Sequence, residues 1–124
     1  YFTSGATEAA NWALKGAAAR LPPGRRRIVT MTTEHAAVLD TVRWLGEQNF
    51  AVDVLPVGRD GLVDLNLAAD RIGADTGLVA AMLVNNEIGV IQPLADLAVL
   101  ARGRGALMMC DAVQGFGRVP LPLR

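Results

Sequence analysis

A carboxylate and an amide, Asp111 and Gln114, follow directly on the apolar run Ala106-Leu107-Met108-Met109-Cys110. Three further polar turns sit beside apolar or helical runs: Ser4-Gly5-Ala6-Thr7-Glu8, Thr33-Glu34-His35 and Val84-Asn85-Asn86-Glu87-Ile88-Gly89. Gly5-Ala6-Thr7 offers a hydroxyl and free backbone N–H groups at the start of a helical stretch, which suits a phosphate. Asp111 ends so apolar a run that it needs a cationic or hydrogen-bonding partner, and a ligand is one candidate. Four such turns could surround a single small anionic ligand. Each also has a plainer reading. Ser4 and Thr7 serve as helix caps, His35 as a surface or capping residue, and Asn85 and Asn86 as acceptors for turn backbone. Neither GxGxxG nor GxxxxGK[ST] occurs, so dinucleotide and nucleoside-triphosphate binding lack their usual motifs.

Two residues tempt as covalent catalysts. Cys110, the one cysteine, lies within Met108-Met109-Cys110 and reads as a buried structural residue. Lys15, the one lysine, stands roughly 12 Å along a helix from Thr7 at the usual rise, facing away from any phosphate held at that helix's start. It reads as a surface lysine.

The elements that must position these turns alternate. Good helix formers run from Thr7 to Arg20 and stop at Leu21-Pro22-Pro23-Gly24. Ile28 to Thr32 reads as a strand, His35 to Gln48 as a helix with Val38, Leu39, Val42 and Leu45 on one face, and Ala51 to Leu55 as a strand. Asp64 caps a short helix over Leu65 to Ile72. Leu78 to Val84 is apolar throughout, as in a strand covered on both faces, and Ala106 to Cys110 reads as a second buried strand. Between them Pro93 opens a helix that closes near Gly103. The order implies an α/β fold of three α/β/α layers around a mostly parallel sheet. Ligands in such sheets settle at the carboxyl ends of the strands, where three of the four polar turns fall.

At 124 residues the chain is one domain or a piece of one. Its apolar fraction of 52% with 5% aromatic describes a core of Ala, Val and Leu. Twelve basic and twelve acidic residues cancel, so no overall field favours nucleic acid or a membrane surface. Arg25-Arg26-Arg27 reads as a solvated loop. A single cysteine excludes an internal disulfide and any multi-cysteine metal site, which fits a reducing compartment. The openings Tyr1-Phe2-Thr3 and the close at Val119-Pro120-Leu121-Pro122-Leu123 both read as cut ends.

Taken in order, the blocks Phe2-Thr3-Ser4-Gly5-Ala6-Thr7-Glu8, Thr33 to Thr41, Asp60-Gly61-Leu62-Val63-Asp64-Leu65, Val84 to Gly89 and Asp111-Ala112-Val113-Gln114 resemble the cysteine desulfurases. These are fold-type I enzymes dependent on pyridoxal 5'-phosphate, grouped with the class V aminotransferases. The resemblance implies that residues 1–124 are part of the cofactor-binding large domain. It implies that Ala6 and Thr7 bind the cofactor phosphate, and that His35 stacks on the pyridine ring and assists proton transfer. Asn86 and Gln114 would hold the phenolic oxygen side, and Asp111 would pair with the pyridinium nitrogen. A carboxylate there keeps the nitrogen protonated and the ring able to accept electrons.

The implied reaction converts L-cysteine to L-alanine and passes sulfur to an enzyme cysteine as a persulfide, for iron–sulfur assembly with scaffold or acceptor proteins, in a homodimer. No metal, membrane or nucleic acid is implied. Val113 and Gly115 stand where the family commonly has Thr and Ser. The family's Ser-x-His-Lys segment, whose lysine forms the Schiff base, and its sulfur-accepting cysteine match nothing in these residues, so the 124 residues alone are expected to be inactive. Other readings are a selenocysteine lyase, a small-amino-acid aminotransferase, a non-catalytic α/β binding module or an inactive partner subunit.

Overall fold

The computed structural model describes residues 1–121; Pro122 and Leu123, part of the abrupt end noted above, lie outside them. Among the described residues four helices and four strands alternate: α1 (Ala6–Arg20), β1 (Arg27–Met31), α2 (Ala36–Glu47), β2 (Ala51–Leu55), α3 (Leu65–Arg71), β3 (Thr76–Met82), α4 (Leu94–Gly103) and β4 (Leu107–Asp111). The strands form one sheet in the order β2-β1-β3-β4, every pair parallel.

Local chemistry accounts for the boundaries. α1 ends at Leu21, which is extended, and the prolines behind it cannot continue the helix. Asp64 accepts hydrogen bonds from the backbone N–H groups of Asn66 and Leu67, the cap expected of it. Pro93 precedes α4, where its missing N–H costs nothing.

Helices cover both faces of the sheet. On one, Leu14 and Ala18 of α1 and Val38, Val42 and Leu45 of α2 pack on Ile28, Leu78 and Ala80. On the other, Ala68 of α3 and Leu97 and Ala101 of α4 pack on Val29, Val79 and Ala81. β3 lies inside the sheet and under both layers, so all seven of its residues are buried. Each fully buried Leu or Ile there contributes roughly 1.5–3 kcal/mol.

β4 corrects the expectation of a second buried strand. Among the described residues it is one of the sheet's two edge strands, and Leu107 and Cys110 are exposed. An apolar run reports that a strand is apolar, not where it stands in the sheet. The arginine run is also not merely solvated. Arg25 donates to the carbonyls of Thr76 and Arg104, Arg26 lies over the Phe50 ring and donates to Gln48 and Asn49, and Arg27 pairs with Asp53 and Asp75.

The strand order positions the site. From β1 the chain crosses through α2 to β2 on one side; from β3 it crosses through α4 to β4 on the other. The loops leaving β1 and β3 therefore part from each other, and a crevice opens at this reversal of direction, where open α/β sheets bind ligands.

Candidate functional site

Ala6, Thr7, His35, Asn86, Asp111 and Gln114 line one cavity at that crevice. Its volume is about 130 Å³, close to the roughly 150 Å³ that admits a benzene ring. Ala37, Met82 and Val113 complete the wall. All six residues singled out from the sequence are thus brought together, from α1, the β1–α2 turn, the β3–α4 turn and the end of β4.

Among the described residues no side chain caps the N-terminus of α1, whose N-cap is Gly5. Ser4 is spent otherwise: its N–H and hydroxyl both donate to Glu8, holding that carboxyl below its usual range. The first N–H groups of α1 therefore remain free beside the cavity, with the positive end of the helix behind them.

His35 is the N-cap of α2, its Nδ1 accepting from the N–H of Ala37 at 3.1 Å. The capping role and the cavity role coexist. A neutral ring that accepts at Nδ1 carries its proton at Nε2.

The paired asparagines divide their work. Asn85 is buried; its Oδ1 accepts from the N–H groups of Glu87 and Ile88, and its Nδ2 donates to the carbonyl of Thr33. It builds the turn and ties it to the β1–α2 turn. Asn86 is thereby left exposed on the cavity wall.

Among the described residues the Asp111 side chain accepts one hydrogen bond, at Oδ1 from the N–H of Val113 at 3.0 Å, and no ion pair reaches it. A carboxylate with spare acceptor capacity on a cavity wall suits a cationic N–H donor. Gln114 Oε1 accepts from Arg118, which anchors the side chain and orients its amide. Gly115 gives Leu83 room: a Cβ there would come within 2.8 Å of Leu83 Cδ2. A serine at this position would require Leu83 to move.

Cys110 departs from expectation, being exposed on β4. Its sulfur is nonetheless desolvated by its neighbours; that effect first, then the charges of Asp111 and Glu34, push the thiol pKa up. A thiol held protonated is a poor nucleophile. Lys15 is an exposed residue with its ammonium 4.6 Å from the centre of the Trp44 ring, and it does not line the cavity, as the helix geometry required.

Sequence reasoning assigned no role to Glu34. It is 6% exposed, and its Oε1 accepts from the N–H of Met82 at 2.7 Å while Oε2 is buried without a partner. Burial raises its pKa to about 8, against the lowering effect of the Met82 N–H and with a smaller upward contribution from Asp111. Its place beside His35 was the only available signal.

The family model described as aminotransferase class V matches residues 1–124. The chain is 45% identical over 120 residues to a probable mitochondrial cysteine desulfurase of Dictyostelium discoideum, covering 97% of this chain and 27% of that protein. It is 46% identical over 122 residues to the cysteine desulfurase IscS of Salmonella paratyphi B, covering 98% and 30% respectively. A solved structure described as a NifS-like protein superposes with a TM-score of 0.94 at 39% identity, over 99% of this chain and 34% of that one. The chain thus spans about three tenths of the length of these curated relatives.

Proposed function

This chain belongs to the class V aminotransferase family, and from that premise we propose that it forms the pyridoxal-phosphate-binding part of a cysteine desulfurase. One observation carries the reading: six residues from four separated turns converge on a single cavity of ring-like size at the switch point of the sheet. The names of the relatives supply the substrate, L-cysteine. On this reading residues 1–124 are part of a larger cofactor-binding domain.

The residues present fit the cofactor. Uncapped N–H groups at Ala6 and Thr7 would bind its phosphate, and the spare acceptor capacity of Asp111 would take the hydrogen bond of a protonated ring nitrogen. When bound, pyridoxal phosphate supplies an electron-accepting ring that stabilises a carbanion on the amino-acid substrate. The chain's own groups would do the rest. Asp111 holds the proton at the ring nitrogen, because an adjacent negative charge favours the protonated form. His35 covers the ring and offers Nε2 as a site for proton movement. Asn86 and Gln114 orient the phenolic oxygen side. The net reaction takes L-cysteine and an enzyme thiol to L-alanine and an enzyme persulfide, with no external oxidant or reductant.

The thiol that receives sulfur and the lysine that binds the cofactor covalently are assigned to parts of the protein other than Cys110 and Lys15. The 124 residues by themselves are then inactive: with L-cysteine and pyridoxal phosphate they release no alanine beyond a protein-free control. A homodimer delivering sulfur to acceptor proteins of iron–sulfur assembly completes the proposal. The proposed compartment is the cytoplasm, with an organelle as the alternative that cell fractionation decides, since two relatives are described as mitochondrial. No helix among the described residues is long and apolar enough to cross a membrane. Titration with pyridoxal phosphate tests the cavity: the cofactor's absorption should shift on binding to the protein and fail to shift with Asp111→Ala. An equal response from both proteins would refute the role of Asp111.

A further inference from the structure

The partner of Glu34 is a strand-end amide. β1 and β3 are paired from Arg27 to Val29 on one side and from Thr76 to Val79 on the other, and not beyond. Past that point the strands part, and successive N–H groups of β3 still point alternately to either side. The N–H of Leu83 turns toward β4 and donates to the carbonyl of Asp111. The N–H of Met82 turns the other way, where β1 no longer supplies a carbonyl, and it finds Glu34 Oε1 instead. Met82 is a wall of the ligand cavity and the Cα partner of Asp111 in the sheet.

We propose that Glu34 is a positioning residue, a neutral carboxylic acid whose carbonyl oxygen replaces the missing strand at Met82 and so fixes the backbone that carries Asp111. The assignment goes beyond the cofactor reading, resting on it only for the identity of the ligand. Three features favour the neutral form and outweigh the Met82 N–H, which by itself would favour the charged one. Glu34 is buried, its second oxygen is also buried without a partner, and no ion pair involves it among the described residues. A charge in that setting would be costly. The titratable groups around it add no fixed cation: Asp111 acts on it from β4, Glu34 itself acts on Cys110 of the same strand, and His35 and Glu87 share with it the walls of the neighbouring polar cavity. Protonated, Glu34 leaves Asp111 as the single negative side chain on the cavity wall among the described residues. Ionised, it would add a second negative charge behind Asp111, alter the field at the ring nitrogen and draw the cofactor's spectrum with it.

The test uses purified protein carrying these residues, with and without pyridoxal phosphate. In the cofactor-free protein, carbon-13 NMR of the Glu34 carboxyl should show titration near neutral to alkaline pH, several units above an exposed glutamate. Glu34→Gln retains an acceptor for Met82 and should keep its amide protection. Glu34→Ala should lose roughly tenfold or more in that protection, the loss of one buried hydrogen bond. In the loaded protein, the wild-type spectrum should change with pH through the range of the Glu34 titration, and that change should be absent in Glu34→Gln while affinity at pH 6 is kept. A Glu34 carboxyl titrating near 4, or identical spectral pH profiles for wild type and Glu34→Gln, would overturn the proposal. Wild-type protein that binds no pyridoxal phosphate would refute the cofactor reading instead, and the NMR titration and amide protection would still decide the role of Glu34.

Discussion

Replacing Glu34 with Gln should make the protein more stable, and more so as the pH rises. An ordinary glutamate has a pKa of 4.5, and burial raises that of Glu34 to about 8. Between these values the unfolded chain has released a proton that the folded protein still holds. The folded state binds more protons, so stability falls as pH rises through this window, by about 1.4 kcal/mol per unit. The loss is absent below pH 4.5, reaches about 3 kcal/mol at pH 7 and levels off above pH 8. Glutamine preserves the acceptor for Met82 N–H and has no proton to release. The advantage of Glu34→Gln over wild type should therefore grow from near zero at pH 4.5 to about 3 kcal/mol at pH 7, about 10 °C in Tm for a domain of this size. Urea or thermal denaturation at pH 5, 6, 7 and 8 measures it. Parallel stability curves for the two proteins across that range would refute the reasoning, because they would mean that Glu34 ionises alike in both states. A residue that weakens the fold at neutral pH is expected where function, not stability, retains it.

Two structural predictions accompany it. Gln92 is buried, accepts from the N–H of Val63 and donates to the carbonyl of Gly61, pinning the loop before α3. Gln92→Leu leaves both groups unpaired and should cost about 2 kcal/mol or more in urea denaturation; a cost within error would show that the loop is held by other means. Asp64→Ala removes the cap of α3 and should cost about 1 kcal/mol by the same assay, with an unchanged midpoint counting against the cap.

Much of this arrangement was legible in local pattern. Alternation and helical spacing located all eight elements to within a few residues, and Asp64 declared its helix because a cap is a local event. The polar turns could be assigned to one edge of a parallel sheet, since strands joined by crossovers run the same way. Lateral order was not legible. It decides that β4 is an edge, and hence that Cys110 is exposed, whereas the unbroken apolar run of β3 did announce its burial. The arginine run failed for a related reason: Arg25 finds its acceptors at Thr76 and Arg104, far along the chain. Glu34 is the clearest case. Its role depends on β1 and β3 parting at one register position, which neither strand's own sequence reveals.

The central claim is most directly tested by a crystal structure of the protein grown with pyridoxal phosphate. The account predicts the ring nitrogen within hydrogen-bonding distance of the Asp111 carboxylate and the phosphate against the first N–H groups of α1 at Ala6 and Thr7. Cofactor bound elsewhere on the surface, or a ring turned so that its nitrogen faces away from Asp111, would contradict it.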